Sequence, residues 1–425
     1  MTTTTSPRAL VRVRHWVPLF VLLGTACELK VTNPGPVQAT FLNDPAALSA
    51  VVSGAGRDLS LALGYTSYTG GAVSKELFPA GSTAAFGISV RQQAGKLADD
   101  DGDAWWEFSQ RARWTGEQAV TRVKTVLGAG AATSKTLAQA QIWAGYSNRH
   151  LGENFCEGII DGGAPQPSTV YFTRAEANFT EALAVATAAS DATLASAARA
   201  GRASVRLSLN NLTGAIADAA TIPSAFVYRM PYFANDLDQY NRIFWASANQ
   251  PYRGHTVFNT FYETYRKATR DPRVPFDSSL TVLVGDAAVT FNGVSQRVRW
   301  YFQTKYPNQA APVNLSSGWE MRLIEAEEKL VNGGNIAEAL SILNVRRSAL
   351  SVPLLTASNL TDAWSALKRE RGIELWLESR RLNDYRRWQA LNRPGTADDM
   401  TGRDLCFATS VSEKQNNPNY GGGKP

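Results

Sequence analysis

The chain has 425 residues, 44% apolar and 10% aromatic, enough to bury one large core or two. Its 43 basic and 37 acidic residues give a formal charge of +6, but three of the arginines fall in a segment that reads as a removable signal. Losing those three from 43 leaves 40 basic residues against 37 acidic ones, a balance that does not imply nucleic acid as a partner.

Residues 1–26 have the layout of that signal. Arg8, Arg12 and Arg14 precede an apolar run from Trp16 to Leu23, and Gly24-Thr25-Ala26 follows. The run is too short to span a bilayer, and no later segment holds about 18 uninterrupted apolar residues. Cys27, directly behind the small residues, resembles the lipidated first residue of a lipoprotein, although Gly24 stands where such signals usually carry Leu. The plainer alternative is ordinary cleavage that leaves an idle thiol. Residues 27–43, rich in Pro and Gly, then read as a tether from the anchor.

Asn43-Asp44-Pro45 has the makings of a helix start, with an Asx cap and Pro in the first turn, and a helix is expected to about Leu63. Gly64 to Gly102 mixes Tyr65, Tyr68 and Phe86 with Gly, Ser and Thr and predicts a long loop, which in a compact domain is often functional. From residue 104 amphipathic helices come in pairs: 104–127, 136–160, 171–188 and 192–209. The Ala runs 182–189 and 195–203 suit close helix packing, and spacings near 34 residues suggest tetratricopeptide-like units without a strict signature. Trp105, Trp106 and Trp114, at near-helical spacing, are expected in the core.

Residues 222–312 break the helical run, with a helix expected around 257–267 and strands at 280–284 and 297–303. Hairpins resume at 317–330 and 336–350. Leu367 to Trp388, LKRERGIELWLESRRLNDYRRW, then predicts one long helix. On its winding Glu370, Glu374, Glu378 and Arg381 fall within the apolar face. Stacked carboxylates repel, and buried charge needs a partner. An internal ion network is therefore expected, with Arg381 and Arg346, or its neighbour Arg347, supplying cations. The two remaining cysteines, Cys156 and Cys406, either pair as a disulfide in an exported protein or sit as small buried hydrophobes.

Several of these stretches occur together in one known family. VTNP follows Cys27; Gly152-Glu153-Asn154-Phe155-Cys156 precedes an Asp-Gly-Gly loop; Tyr171-Phe172-Thr173-Arg174-Ala175-Glu176 opens a helix; Asp271-Pro272-Arg273 lies in the middle loops. Glu320-Met321-Arg322-Leu323, Leu343-Asn344-Val345-Arg346, the Glu370 to Trp388 pattern, Cys406-Phe407 and Asn417-Pro418-Asn419 follow in order. In these the chain resembles the SusD/RagB family of outer-membrane nutrient-binding lipoproteins. The resemblance implies a mainly α fold, with about four tetratricopeptide-like helical pairs supporting a loop-rich ligand-binding half that carries a few short strands. It implies one such domain over 44–425, with the scaffold at about 44–63, 104–220 and 317–388. The loop-rich half would be about 64–103, 221–316 and 389–425. It further implies a cell-surface, lipid-anchored protein that binds glycan or a similar nutrient and serves a TonB-dependent SusC-like transporter barrel. Glu378-Ser379-Arg380 departs from the family's pattern, on a side of the helix expected to face water.

No catalytic constellation is legible. Outside the signal only His150 and His255 occur, too few for a multi-histidine metal site, and HExxH, GxSxG and CxxC are absent. No cofactor or metal is expected, and the reading is non-enzymatic. The alternatives are a secreted carbohydrate-active enzyme or a helical-repeat scaffold that binds peptides or proteins. Sugars stack on exposed aromatic rings ringed by polar side chains. Tyr65, Tyr68, Trp245 and Tyr252, each among polar or Gly neighbours, are the candidate ligand contacts.

Overall fold

The computed structural model describes residues 41–80, 90–247, 253–284, 290–291, 294–396 and 400–421. The signal, Cys27, the tether up to residue 40, and Tyr252 lie outside the described residues. Helix α1 (Leu48–Val73) does not stop at Leu63. It runs through Gly64, Gly70 and Gly71, and from Leu59 onward nearly every residue is buried. Gly is a poor helix former, but burial along a whole turn outweighs that local cost of about 1 kcal/mol. The expected loop thus contributes nearly three more turns of central helix.

After the short α2 (Val90–Gln93), α3 (Asp103–Leu127) and α4 (Lys135–Asn154) form a hairpin, followed by α5 (Thr169–Ala188), α6 (Ala192–Ser208) and α7 (Leu212–Ala219). Each packs on the next, and α1 lies across α3 and α4. Side-chain caps set the starts: Ser134 accepts from Leu137 N–H, Asp191 from Leu194 and Asn211 from Gly214. Small residues allow the close approach. Phe179 of α5 wedges between Gly145 of α4 and Gly201 of α6, where an added Cβ would stand 2.7 Å and 2.5 Å from its ring. Of the α3 tryptophans, Trp106 is buried and Trp105 half-buried, but Trp114 faces solvent.

The middle of the chain holds α8 (Arg242–Ser247), α9 (Phe261–Thr269) and two-stranded antiparallel pairs. Phe276–Val284 pairs with Val298–Gln303, and Val227–Met230 with Val313–Ser317. Helices α10 (Gly318–Val331), α11 (Ile336–Ala349), α12 (Leu360–Glu374), α13 (Arg381–Ala390) and α14 (Val411–Asn416) complete it. The result is mainly α, with helical hairpins of the expected kind and few short strands.

The stretch expected as one helix, Leu367 to Trp388, is two. Residues 375–380 leave the helix, with Leu377 and Ser379 at φ of 59° and 60°. That conformation is costly for Leu. Contacts from three sides hold it: Glu76 accepts from Leu377 N–H (2.8 Å), Tyr306 donates to Leu377 O (3.1 Å) and Lys305 to Trp376 O (2.6 Å). Cys156 and Cys406 are joined by a disulfide closing a separation of 250 residues. Beside it the backbone of Phe407 bonds Asn154 and Cys156, fixing the C-terminal strap to the end of α4. Among the described residues no helix is long and apolar enough to cross a membrane.

Candidate functional site

The carboxylates singled out in the sequence are interior. Arg273, from the Asp271-Pro272-Arg273 loop, reaches Glu370 (2.5 Å) and Glu374 (2.9 Å) and is braced by Asp271 at 2.7 Å. Arg347 takes the other oxygen of Glu370 at 2.6 Å, while Arg346 stands 3.4 Å from Glu374 and stacks on Trp319. Burial works against the charge on Arg273, but Asp271, Glu370 and Glu374 outweigh it and hold its pKa above the usual range.

Glu378 does not continue this ladder. The break at 375–380 turns it to Lys305 (2.9 Å) and Asn314 (3.0 Å). Arg381 is likewise elsewhere: it donates to Ser74 O (3.0 Å) and Tyr262 Oη (2.7 Å), and its charge eases buried Glu76. Arg380, expected in water, is buried and bridges Glu320 (2.6 Å) and Glu153 (2.9 Å). The cavity beside Glu370 and Glu374 is about 10 Å³, room for roughly one water and none for a sugar.

The ligand aromatics also move. Tyr68 is 2% exposed inside α1, 5.6 Å from the His255 ring. Tyr65, one turn earlier, is half-buried, stacked on Trp105 at 4.7 Å under the guanidinium of Arg242. The structure brings these two tyrosines within 6.3 Å of each other, but as packing, because the segment read as loop is helix. Trp245 is half-buried against Tyr240 at 5.0 Å.

The roomy concavity lies at the other end of α1. A groove of about 990 Å³ has Val52, Ser53, Gly54 and Gly56 of α1 along one side. Lys135, Gln139 and Trp143 of α4, the α5–α6 turn at Asp191, and the loop 230–239 complete it. That loop is fixed from several directions. Tyr232 points inward and donates to Ser60 O (2.9 Å), Phe233 N–H closes onto Gln239 O (2.9 Å), and Asp236 accepts from Asp238 N–H (3.0 Å). Phe233 faces outward and is 52% exposed.

The charges around the groove are paired. Arg57 reaches Asp236 and Asp238 at 3.2 Å each, and Lys135 reaches Asp191 at 3.3 Å. Asp236 and Asp191 are held below the usual carboxylate range, first by the backbone N–H groups they cap and then by these cations. Gln139 exchanges hydrogen bonds with Tyr228 Oη. Sequence reasoning passed over Phe233, although its setting, an aromatic in the run Pro231-Tyr-Phe-Ala-Asn-Asp-Leu-Asp238, carries the same signal used to choose Tyr65. Among the described residues no group of His, Cys, Asp and Glu is arranged to hold a metal ion.

Comparison with known proteins agrees with the resemblance read from the residues. The SusD family model matches residues 296–424. A SusD/RagB family protein from Bacteroides thetaiotaomicron superposes with a TM-score of 0.63 at 14% identity, covering 88% of this chain and 94% of that one. A SusD-like carbohydrate-binding protein from Bacteroides vulgatus gives 0.63 at 14%, covering 89% and 98%. A laminarin-binding SusD-like protein gives 0.56 at 12%, covering 87% and 98%. The fold is therefore the SusD fold. No curated protein matches the chain significantly.

Proposed function

We propose that this chain is a non-catalytic glycan-binding protein of the cell surface. In this reading it is anchored through Cys27 and delivers oligosaccharides to a TonB-dependent outer-membrane barrel. The SusD fold supports the reading, as do the two structural neighbours named for carbohydrate and laminarin binding. The observation that carries it is the groove of about 990 Å³, which sets an outward aromatic ring among paired donors and acceptors. A sugar offers a C–H face to such a ring and hydroxyls, each both donor and acceptor, to the surrounding Ser, Thr, Asn, Gln and Arg–Asp groups. The volume is at the upper end for small-ligand sites, which suits several linked rings.

Hydrolysis has no counterpart at the carboxylates of the long C-terminal helical stretch. Glu370 and Glu374 are saturated by arginines, with no space for a glycosidic bond beside them. Alanine at Phe233, an exposed side chain, is expected to lower glycan affinity roughly tenfold, about 1.4 kcal/mol, with an unchanged melting temperature. Affinity electrophoresis across a panel of polysaccharides is the test, and equal retardation of both proteins would remove the groove from the account. Delivery is tested separately by purification from solubilised membranes, where a barrel protein should accompany the chain at near-equal stoichiometry.

A further inference from the structure

The groove, taken as the glycan site proposed above, has a charge pattern that narrows its ligand. Two cations touch it, Arg57 and Lys135, and each already faces a carboxylate: Asp236 and Asp238 at 3.2 Å, and Asp191 at 3.3 Å. Two of the three acids are also helix caps. Asp191 accepts from Leu194 N–H at the start of α6, and Asp236 accepts from Asp238 N–H at the short turn Leu237–Gln239. Their positions are thus set by backbone, whereas Arg57 and Lys135 sit on long, exposed stems. An incoming carboxylate or sulfate that engaged either cation would come up against these fixed acids, and with Arg242 standing 3.9 Å from Asp238 the Arg57 side of the groove carries no net positive charge to draw it in.

We infer that the groove selects neutral oligosaccharides and rejects uronate-rich and sulfated ones. An arginine beside two carboxylates presents donors next to acceptors, complementary to neighbouring hydroxyls, while the carboxylates repel a second anion. Phe233 supplies an uncharged stacking face beside it. Gln139, Thr136, Thr193 and Asn235 line the rest without charge.

The test uses the intact chain on native gels. The neutral polymers are laminarin, starch, xyloglucan and mannan; the anionic ones are alginate, polygalacturonate and chondroitin sulfate. A groove-filled variant, Ser53→Leu/Gly54→Leu, accompanies the wild type. Both positions are exposed on α1, and nothing lies within 4 Å of a Cβ at Gly54, so the helix tolerates the change. At least one neutral polymer should retard the wild type at least tenfold more strongly than the filled variant, with no anionic polymer retarding either. Asp236→Asn/Asp238→Asn, which frees Arg57, should gain retardation by an anionic polymer. An anionic polymer that retards the wild type and is released by filling the groove overturns the inference while leaving the glycan site intact. Retardation that survives filling, or none by any polymer, overturns the glycan reading on which it rests.

Discussion

Arg273 and Arg57 each bridge carboxylates, the first in the interior between Asp271, Glu370 and Glu374, the second at a groove rim between Asp236 and Asp238. Side-chain exposure separates them: 5% for Arg273 against 41% for Arg57. In the interior each partner has lost its water, so removing one strands the others, at a cost of about 3–5 kcal/mol. At the rim water screens and replaces every contact, and such a pair contributes only about 0.2–1 kcal/mol. The same constellation is therefore a lock in one place and, under the proposed function, a recognition surface in the other. Residue type does not distinguish the two; burial does.

The largest effect should follow from breaking the lock. Arg273→Ala leaves Glu370 and Glu374 short of a cation, and denaturant unfolding should show a loss of about 3–5 kcal/mol. Glycan retention by the folded protein should stay as in the wild type. An intermediate effect belongs to pH. Burial lowers the His255 pKa to about 3, and the ring sits against Tyr68 with no hydrogen-bond partner on either nitrogen among the described residues. Unfolded His titrates near 6.5, so between about 6.5 and 3 the unfolded chain holds a proton that the folded chain refuses. Stability is complete above that window and falls as pH drops through it. His150, lowered to about 3 mainly by burial and then by Arg149, has the same sign.

His255→Phe should flatten part of this slope by removing up to one proton of uptake, as measured by unfolding free energy from pH 7 to pH 4. Retention on glycan gels should not follow the same curve, because Asp236 and Asp191 are held ionised below the usual carboxylate range. If retention falls in parallel with stability in a protein still folded, the division between the two regions fails. Smallest of all is the stability change for Asp238→Asn, expected within about 0.5 kcal/mol by thermal melts.

Most of the helical scaffold is legible in the sequence, since apolar spacing, Asx and Ser caps and Ala-rich faces are local signals. Partnership is not local. Arg273 lies 97 residues from Glu370, so no helical winding could place it in the ladder, and the nearer Arg346 and Arg347 stood out instead. The Glu320–Arg380 pair spans 60 residues and escaped for the same reason. The break at Leu375–Arg380 is held by Glu76, Lys305 and Tyr306, again from remote segments. Gly64 to Gly71 looked like loop because Gly disfavours helix locally, while burial of α1 decides otherwise. That reversal displaces the candidate site as well: Tyr65 and Tyr68 are packing, and the exposed ring at the groove is Phe233.

The central claim is that the buried arginine cluster holds the fold while the groove holds the ligand. Glu374→Ala and Phe233→Ala, compared with the wild type by melting temperature and by glycan retardation, test it most directly. The account predicts a crossed result: Glu374→Ala melts several degrees lower and binds as before, and Phe233→Ala melts as before and loses roughly tenfold in retention. Glu374→Ala with normal melting and lost retention, or Phe233→Ala with retention intact, would contradict it.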